Sequence, residues 1–90
     1  MNKEQITEFL SNQQAFKILI SSDFYMNALT LAIGDFLNIR EFLTLHFIEG
    51  LSEKDLAEYY NVNIGIINDW LGKVFRITNA LMNKNIIRFK

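Results

Sequence analysis

Asp55-Leu56-Ala57-Glu58-Tyr59-Tyr60-Asn61-Val62-Asn63-Ile64-Gly65-Ile66-Ile67-Asn68-Asp69-Trp70-Leu71 is the stretch that decides the fold. Ser52 precedes it with Asp55 three residues on, a capping box with Asp in place of Glu, so a helix should open at Glu53 and run to Tyr60. Leu56, Ala57 and Tyr60 share its inward face. Asn61-Val62-Asn63 reads as a tight turn holding one apolar side chain, and Asn63 is suited to cap a second helix. That helix should reach about Asn83, with Ile64, Ile67, Leu71, Val74, Phe75, Thr78 and Met82 as its core stripe. Two helices joined by a three-residue turn, the second longer, make a helix-turn-helix. Its steric demands are met. Ala57 is small enough for the helices to cross closely, Val62 plugs the turn, and Ile67 and Leu71 anchor the second helix from beneath.

Upstream, the chain reads as helix throughout. It has no proline and only four glycines, Gly34, Gly50, Gly65 and Gly72, so the strongest helix breaker is missing. Ile6, Phe9, Leu10, Gln13, Phe16, Lys17 and Ile20 recur at three and four, marking a first helix. Ser21, Ser22 and Asp23 supply a joint and an N-cap. A second helix over Phe24–Phe36 is apolar nearly all round: Tyr25, Leu29, Ala32, Ile33 and Phe36 on one side, Phe24, Ala28 and Leu31 on another. Such a helix is central in its fold or pairs with another chain. Asn38 caps a third, with Ile39, Phe42, Leu43, His46 and Phe47 inward, and Gly50 ends it at positive φ. The expectation is an all-α fold of about five helices in one domain. Residues 1–37 form N-terminal helices of unassigned role, 38–83 carry the helix-turn-helix with its long recognition helix, and 84–90 form a basic tail.

Half of the 90 residues are hydrophobic, including eight Phe, three Tyr and one Trp, more than a small sphere hides easily. A homo-oligomer, in the simplest case a dimer, or a docking surface follows as an expectation. Without cysteine the chain has no disulfide scaffold, thiolate nucleophile or zinc finger, and the single His46 makes no metal site alone. No cofactor is implied. The polar start, Met1 to Glu8, and the interruption of Phe16–Ile20 by Lys17 fit neither a signal peptide nor a membrane span, so a cytoplasmic location is expected. Charge is uneven. Up to Gly72 the chain carries Lys3, Lys17, Arg40 and Lys54 against all ten acids; after it come Lys73, Arg76, Lys84, Arg88 and Lys90 with no acid. That end suits either an anionic partner or a helix C-terminal dipole.

The stretch Arg40-Glu41-Phe42-Leu43-Thr44-Leu45-His46-Phe47-Ile48-Glu49-Gly50-Leu51-Ser52 resembles the helix and Gly-Leu-Ser joint of region 4 of bacterial sigma factors and related small regulators. Asp55 to Val62 is similar to that family's first motif helix and turn, and Asn63-Ile64-Gly65-Ile66-Ile67 to the start of its reading helix. The resemblance spans about residues 39–82. It implies a small transcription regulator that binds double-stranded DNA through the major groove and contacts RNA polymerase or a sigma factor. Carried over by position, Asn63, Ile64, Ile66, Asn68, Asp69 and Trp70 would enter the groove, and Lys73 and Arg76 would hold phosphates.

One feature departs from the family pattern, which favours Arg, Lys, Thr or Ser on the exposed face of this helix. Here Ile66, Trp70, Lys73 and Ile77 share a side, a second largely apolar stripe. The stripe is consistent with extra core under the N-terminal helices, with a protein interface formed by Ile66, Trp70 and Ile77, or with contact to thymine methyls. The alternative function is therefore a protein-interaction module on the same scaffold, holding a second copy, polymerase or a sigma factor without reading DNA. Neither His46 nor the acids Glu49, Glu53, Asp55 and Glu58 converge on a pocket, so neither catalysis nor a small-molecule substrate is expected.

Overall fold

The computed structural model describes residues 2–84. The elements are α1 (Lys3–Ser11), α2 (Gln13–Ile20), α3 (Asp23–Ile33), α4 (Ile39–Leu43) continuing as a π-helical turn (Thr44–Ile48), α5 (Glu53–Tyr60) and α6 (Ile64–Asn83). Among the described residues the chain is all-helical, with six α-helices where about five were expected. None of them is long and apolar enough to cross a membrane.

The added helix comes from Asn12. Its backbone is extended (φ −78°, ψ 118°) and its side chain accepts from the Ala15 amide at 3.0 Å, so the expected first helix divides into α1 and α2. A short amide side chain that caps the following turn competes with the helix ladder, and here it wins. The break lets Ile6, Phe9 and Leu10 of α1 and Phe16 and Leu19 of α2 all enter one core.

The second expected helix also ends early. Gly34 takes φ +128°, where a side chain is strained, and the Phe36 ring lies against the position its Cβ would fill. Phe36, expected on the inward face, instead stands in the loop, 70% exposed, with its ring 5.8 Å from that of Trp70. Tyr25, Leu29 and Ile33 are buried, whereas Phe24 and Leu31 face outward. After α4, the His46 ring Nδ1 lies 2.8 Å from the Leu51 carbonyl, and Gly50 turns at φ +81° as its sequence position suggested.

At Ser52 the capping box forms as read. Ser52 Oγ accepts from the Asp55 amide at 3.1 Å, and the Asp55 carboxylate accepts from the Ser52 amide at 3.2 Å. Asn61 closes α5 in the left-handed region (φ 56°), Val62 packs against the core, and Asn63 Oδ1 accepts from the Gly65 amide at 2.7 Å. Of the expected α6 stripe, Ile67, Leu71, Val74, Thr78 and Met82 are buried and Phe75 is half-buried. Ile64 is a correction: it is exposed, at the N-terminal end of α6 and one turn before Ile67, the first buried residue of the helix. Lys84 follows the helix, and the remainder of the basic tail, including Arg88 and Lys90, lies outside the described residues.

Two contacts tie the halves together. The Thr78 hydroxyl donates to the Val74 carbonyl at 2.7 Å, so the fully buried Tyr25 hydroxyl must be the donor in its 2.8 Å bond to Thr78 Oγ1. Glu41 on α4 accepts from both Tyr59 (3.3 Å) and Tyr60 (3.1 Å), fixing the end of α5.

Burial pushes the Tyr25 hydroxyl up to about 12. A group whose folded value exceeds its unfolded one stabilises fully below the unfolded value and loses that stability as pH rises through the folded one. Denaturant melts between pH 10 and 12 should therefore show a loss of about 2–3 kcal/mol from this group, and Tyr25→Phe should remove that part of the pH dependence. Gly72 lies inside α6 with nothing within 4 Å of where a Cβ would sit. Gly72→Ala should thus raise stability by about 0.5–1 kcal/mol, read as a thermal midpoint higher by a few degrees.

Candidate functional site

Two successive residues of a helix lie about 100° apart, so positions 63 to 77 map directly onto an arc around α6. Ile67, Trp70, Leu71, Val74 and Thr78 fill the inward arc. Gly65, Asp69 and Arg76 point straight out, Ile64 and Asn68 lie to one side, and Ile66, Lys73 and Ile77 to the other. The candidate residues therefore do not form a single flat face. They wrap the exposed start of α6, where Asn63, Ile64, Gly65, Ile66, Asn68 and Asp69 are all exposed.

Trp70 does not belong with them. It is 7% exposed, its ring set edge-on to Phe42 (5.5 Å) and Tyr60 (6.0 Å) and tilted against Phe36 (5.8 Å). An indole closed in by three rings neither reaches a base edge nor anchors a partner, so it leaves both candidate sets. Ile77 is half-buried against the core and leaves the interface set for the same reason. Of that stripe only Ile66, 42% exposed, faces solvent as an apolar side chain. The stripe adjoins the core stripe because α6 is flanked by α1, α3 and α5 at once, so it buries a wider arc than a helix packed on one side.

The charges are also arranged differently from a row of free cations. Lys73 Nζ is 3.0 Å from the Asp69 carboxylate, one turn earlier. Such a surface pair contributes only about 0.3–0.5 kcal/mol to the helix, yet it sets an anion beside the cation meant for phosphate. Arg76 is exposed and makes no ion pair among the described residues. Asn68 opens onto a cleft of about 470 Å³ whose walls include Glu4, Glu8, Glu53 and His46, with Leu71 and Phe75 as apolar lining. Lys3 Nζ sits 5.2 Å from the centroid of the Phe75 ring at the same place. Three carboxylates beside Asn68 repel a phosphate backbone, which turns the anion-compatible part of the surface toward Asn63, Ile66, Lys73 and Arg76.

The Asp69–Lys73 pair was legible as an i, i+4 spacing; the cleft was not, since nothing in the local pattern places α1 beside the start of α6. Tyr59 was missed as part of this surface: it is 56% exposed beside the turn, its hydroxyl held by Glu41. The Tyr60 hydroxyl is pushed above the ordinary tyrosine value by burial, and the Glu41 carboxylate that accepts its proton adds to the effect. No group of His, Asp or Glu among the described residues is placed to hold a metal ion. Comparison with known protein families, with characterised proteins and with solved structures finds no match to this chain.

Proposed function

We propose that the chain is a small DNA-binding transcription regulator in which α5, the Asn61–Asn63 turn and α6 act as a helix-turn-helix like that of sigma-factor region 4. The observation that carries this reading is the contrast along α6. Its length from Trp70 onward is built into the core, whereas in its first two turns, Asn63 to Asp69, every residue except Ile67 is exposed. A helix fixed by its rear and open at its start is what insertion into a major groove requires. Asn63 would offer hydrogen bonds to a base edge, Ile64 and Ile66 would meet thymine methyls, and Lys73 and Arg76 would contact phosphates.

A second reading has its own support. Ile64 (47%), Ile66 (42%) and Tyr59 (56%) are exposed apolar groups around one turn, and the cations beside them are few. In that reading this end of the molecule docks on RNA polymerase or a sigma factor without reading sequence.

Fluorescence anisotropy with a labelled AT-rich duplex at low and physiological salt separates the two. DNA reading predicts salt-sensitive binding that Lys73→Ala with Arg76→Ala weakens, lowering the salt slope by about two. Asp69→Asn should strengthen binding roughly fivefold, because it frees Lys73 and removes an anion, an effect of about 1 kcal/mol. Absence of binding at low salt would reject DNA reading. Retention of polymerase by the wild type, lost in Ile66→Glu, would then establish the second.

A further inference from the structure

We propose that the cleft between α1, the π-helical turn, α5 and α6 is a binding site for a small organic dication, a diamine with a short apolar chain. Four separate segments converge there. Glu4 and Glu8 come from α1, His46 from the π-helical turn, Glu53 from the start of α5, and Leu71 and Phe75 from α6. Of His46 and the four acids for which the sequence predicted no common pocket, His46 and Glu53 are thus brought into one. Its volume of about 470 Å³ lies within the range of small-molecule sites.

The chemistry of the walls selects the ligand. Leu71 is buried and Phe75 half-buried, so the floor is apolar and presents one aromatic face. That face already receives a cation: Lys3 Nζ lies 5.2 Å from the Phe75 centroid, the geometry of a cation–π contact. A carbonyl can only accept, so in the 2.8 Å bond to Leu51 the His46 Nδ1 carries the proton. On the neutral ring this leaves Nε2 as an acceptor. His46 stands in a π-helical turn, a distortion that recurs at functional sites. None of Glu4, Glu8 and Glu53 has an ion-pair partner among the described residues. Acceptors around an aromatic face fit a ligand that donates hydrogen bonds, carries positive charge and has an apolar body. Charge sets the valence. Three carboxylates against the ammonium of Lys3 leave a surplus of two negative charges, which two ammonium groups would neutralise.

Nuclear magnetic resonance titration with 1,5-diaminopentane, at fixed ionic strength and without DNA, tests the site independently of the proposed function. Saturable shifts are expected at Thr7, His46, Asn68 and Phe75, with half-saturation at or below about 1 mM. Glu53→Gln should weaken binding about fivefold. Glu58→Gln, which removes an equal charge from α5 outside the cleft, should leave it unchanged. Phe75→Leu keeps an apolar floor without the aromatic face and should weaken binding too, with amide dispersion reporting that the fold is intact. Shifts that rise linearly to about 10 mM, or that do not cluster at the cleft, overturn the proposal. Equal loss in Glu53→Gln and Glu58→Gln would mean diffuse attraction by an acidic surface and overturns it as well. So does tighter binding of N-acetyl-lysine amide, the group that a protein partner would supply, than of the diamine.

Discussion

The seating of Trp70 between Phe42, Tyr60 and Phe36 is the contact on which the rest of this molecule depends. Each ring comes from a different place: Phe36 from the loop after α3, Phe42 from α4, Tyr60 from the end of α5. One side chain of α6 thus fixes three other segments, and Glu41 locks the arrangement by holding the hydroxyls of Tyr59 and Tyr60. Aromatic pairs with edge-to-face geometry contribute about 0.5–1.5 kcal/mol each beyond area burial, enough to decide how α6 is rotated. With Trp70 turned inward, Gly65, Asp69 and Arg76 point to solvent, and the candidate surface is whatever the start of α6 then exposes.

Much of this architecture was legible in the residues. The Ser52–Asp55 box, the left-handed Asn61, the Asn63 cap and the end of α6 near Asn83 follow from local chemistry that acts within a few positions. Local chemistry also explains where the reading erred. Asn12 offered a cap as well as a helical position, and Gly34 a stop as well as a link; the periodicity of the apolar residues is the same in either case. Trp70 and Ile77 raised a different difficulty. Periodicity put them on one side of α6, but only the arrangement of the other helices determines how wide an arc that helix buries. The acidic cleft beside Asn68 depends on where α1 lands, which no short-range pattern encodes.

The electrostatics restrict what the exposed end of α6 can do. Asp69 partly neutralises Lys73, and Glu4, Glu8 and Glu53 stand on the flank, so a single copy offers duplex DNA little beyond Arg76. Long-range attraction to phosphates is correspondingly small, and any preference must come from close contacts of Asn63, Ile64 and Ile66 with base edges.

Trp70 is the sole tryptophan of the chain, which makes its environment directly measurable. Intrinsic fluorescence with acrylamide quenching, on the folded protein and again in denaturant, is the most direct test of its burial. Blue-shifted emission and weak quenching in the folded state, both lost on unfolding, are the expected result for an indole enclosed by Phe36, Phe42 and Tyr60. Red-shifted emission with quenching as efficient as in denaturant would place Trp70 on the surface, and with it the apolar stripe of α6, contradicting the packing from which the candidate surface was derived.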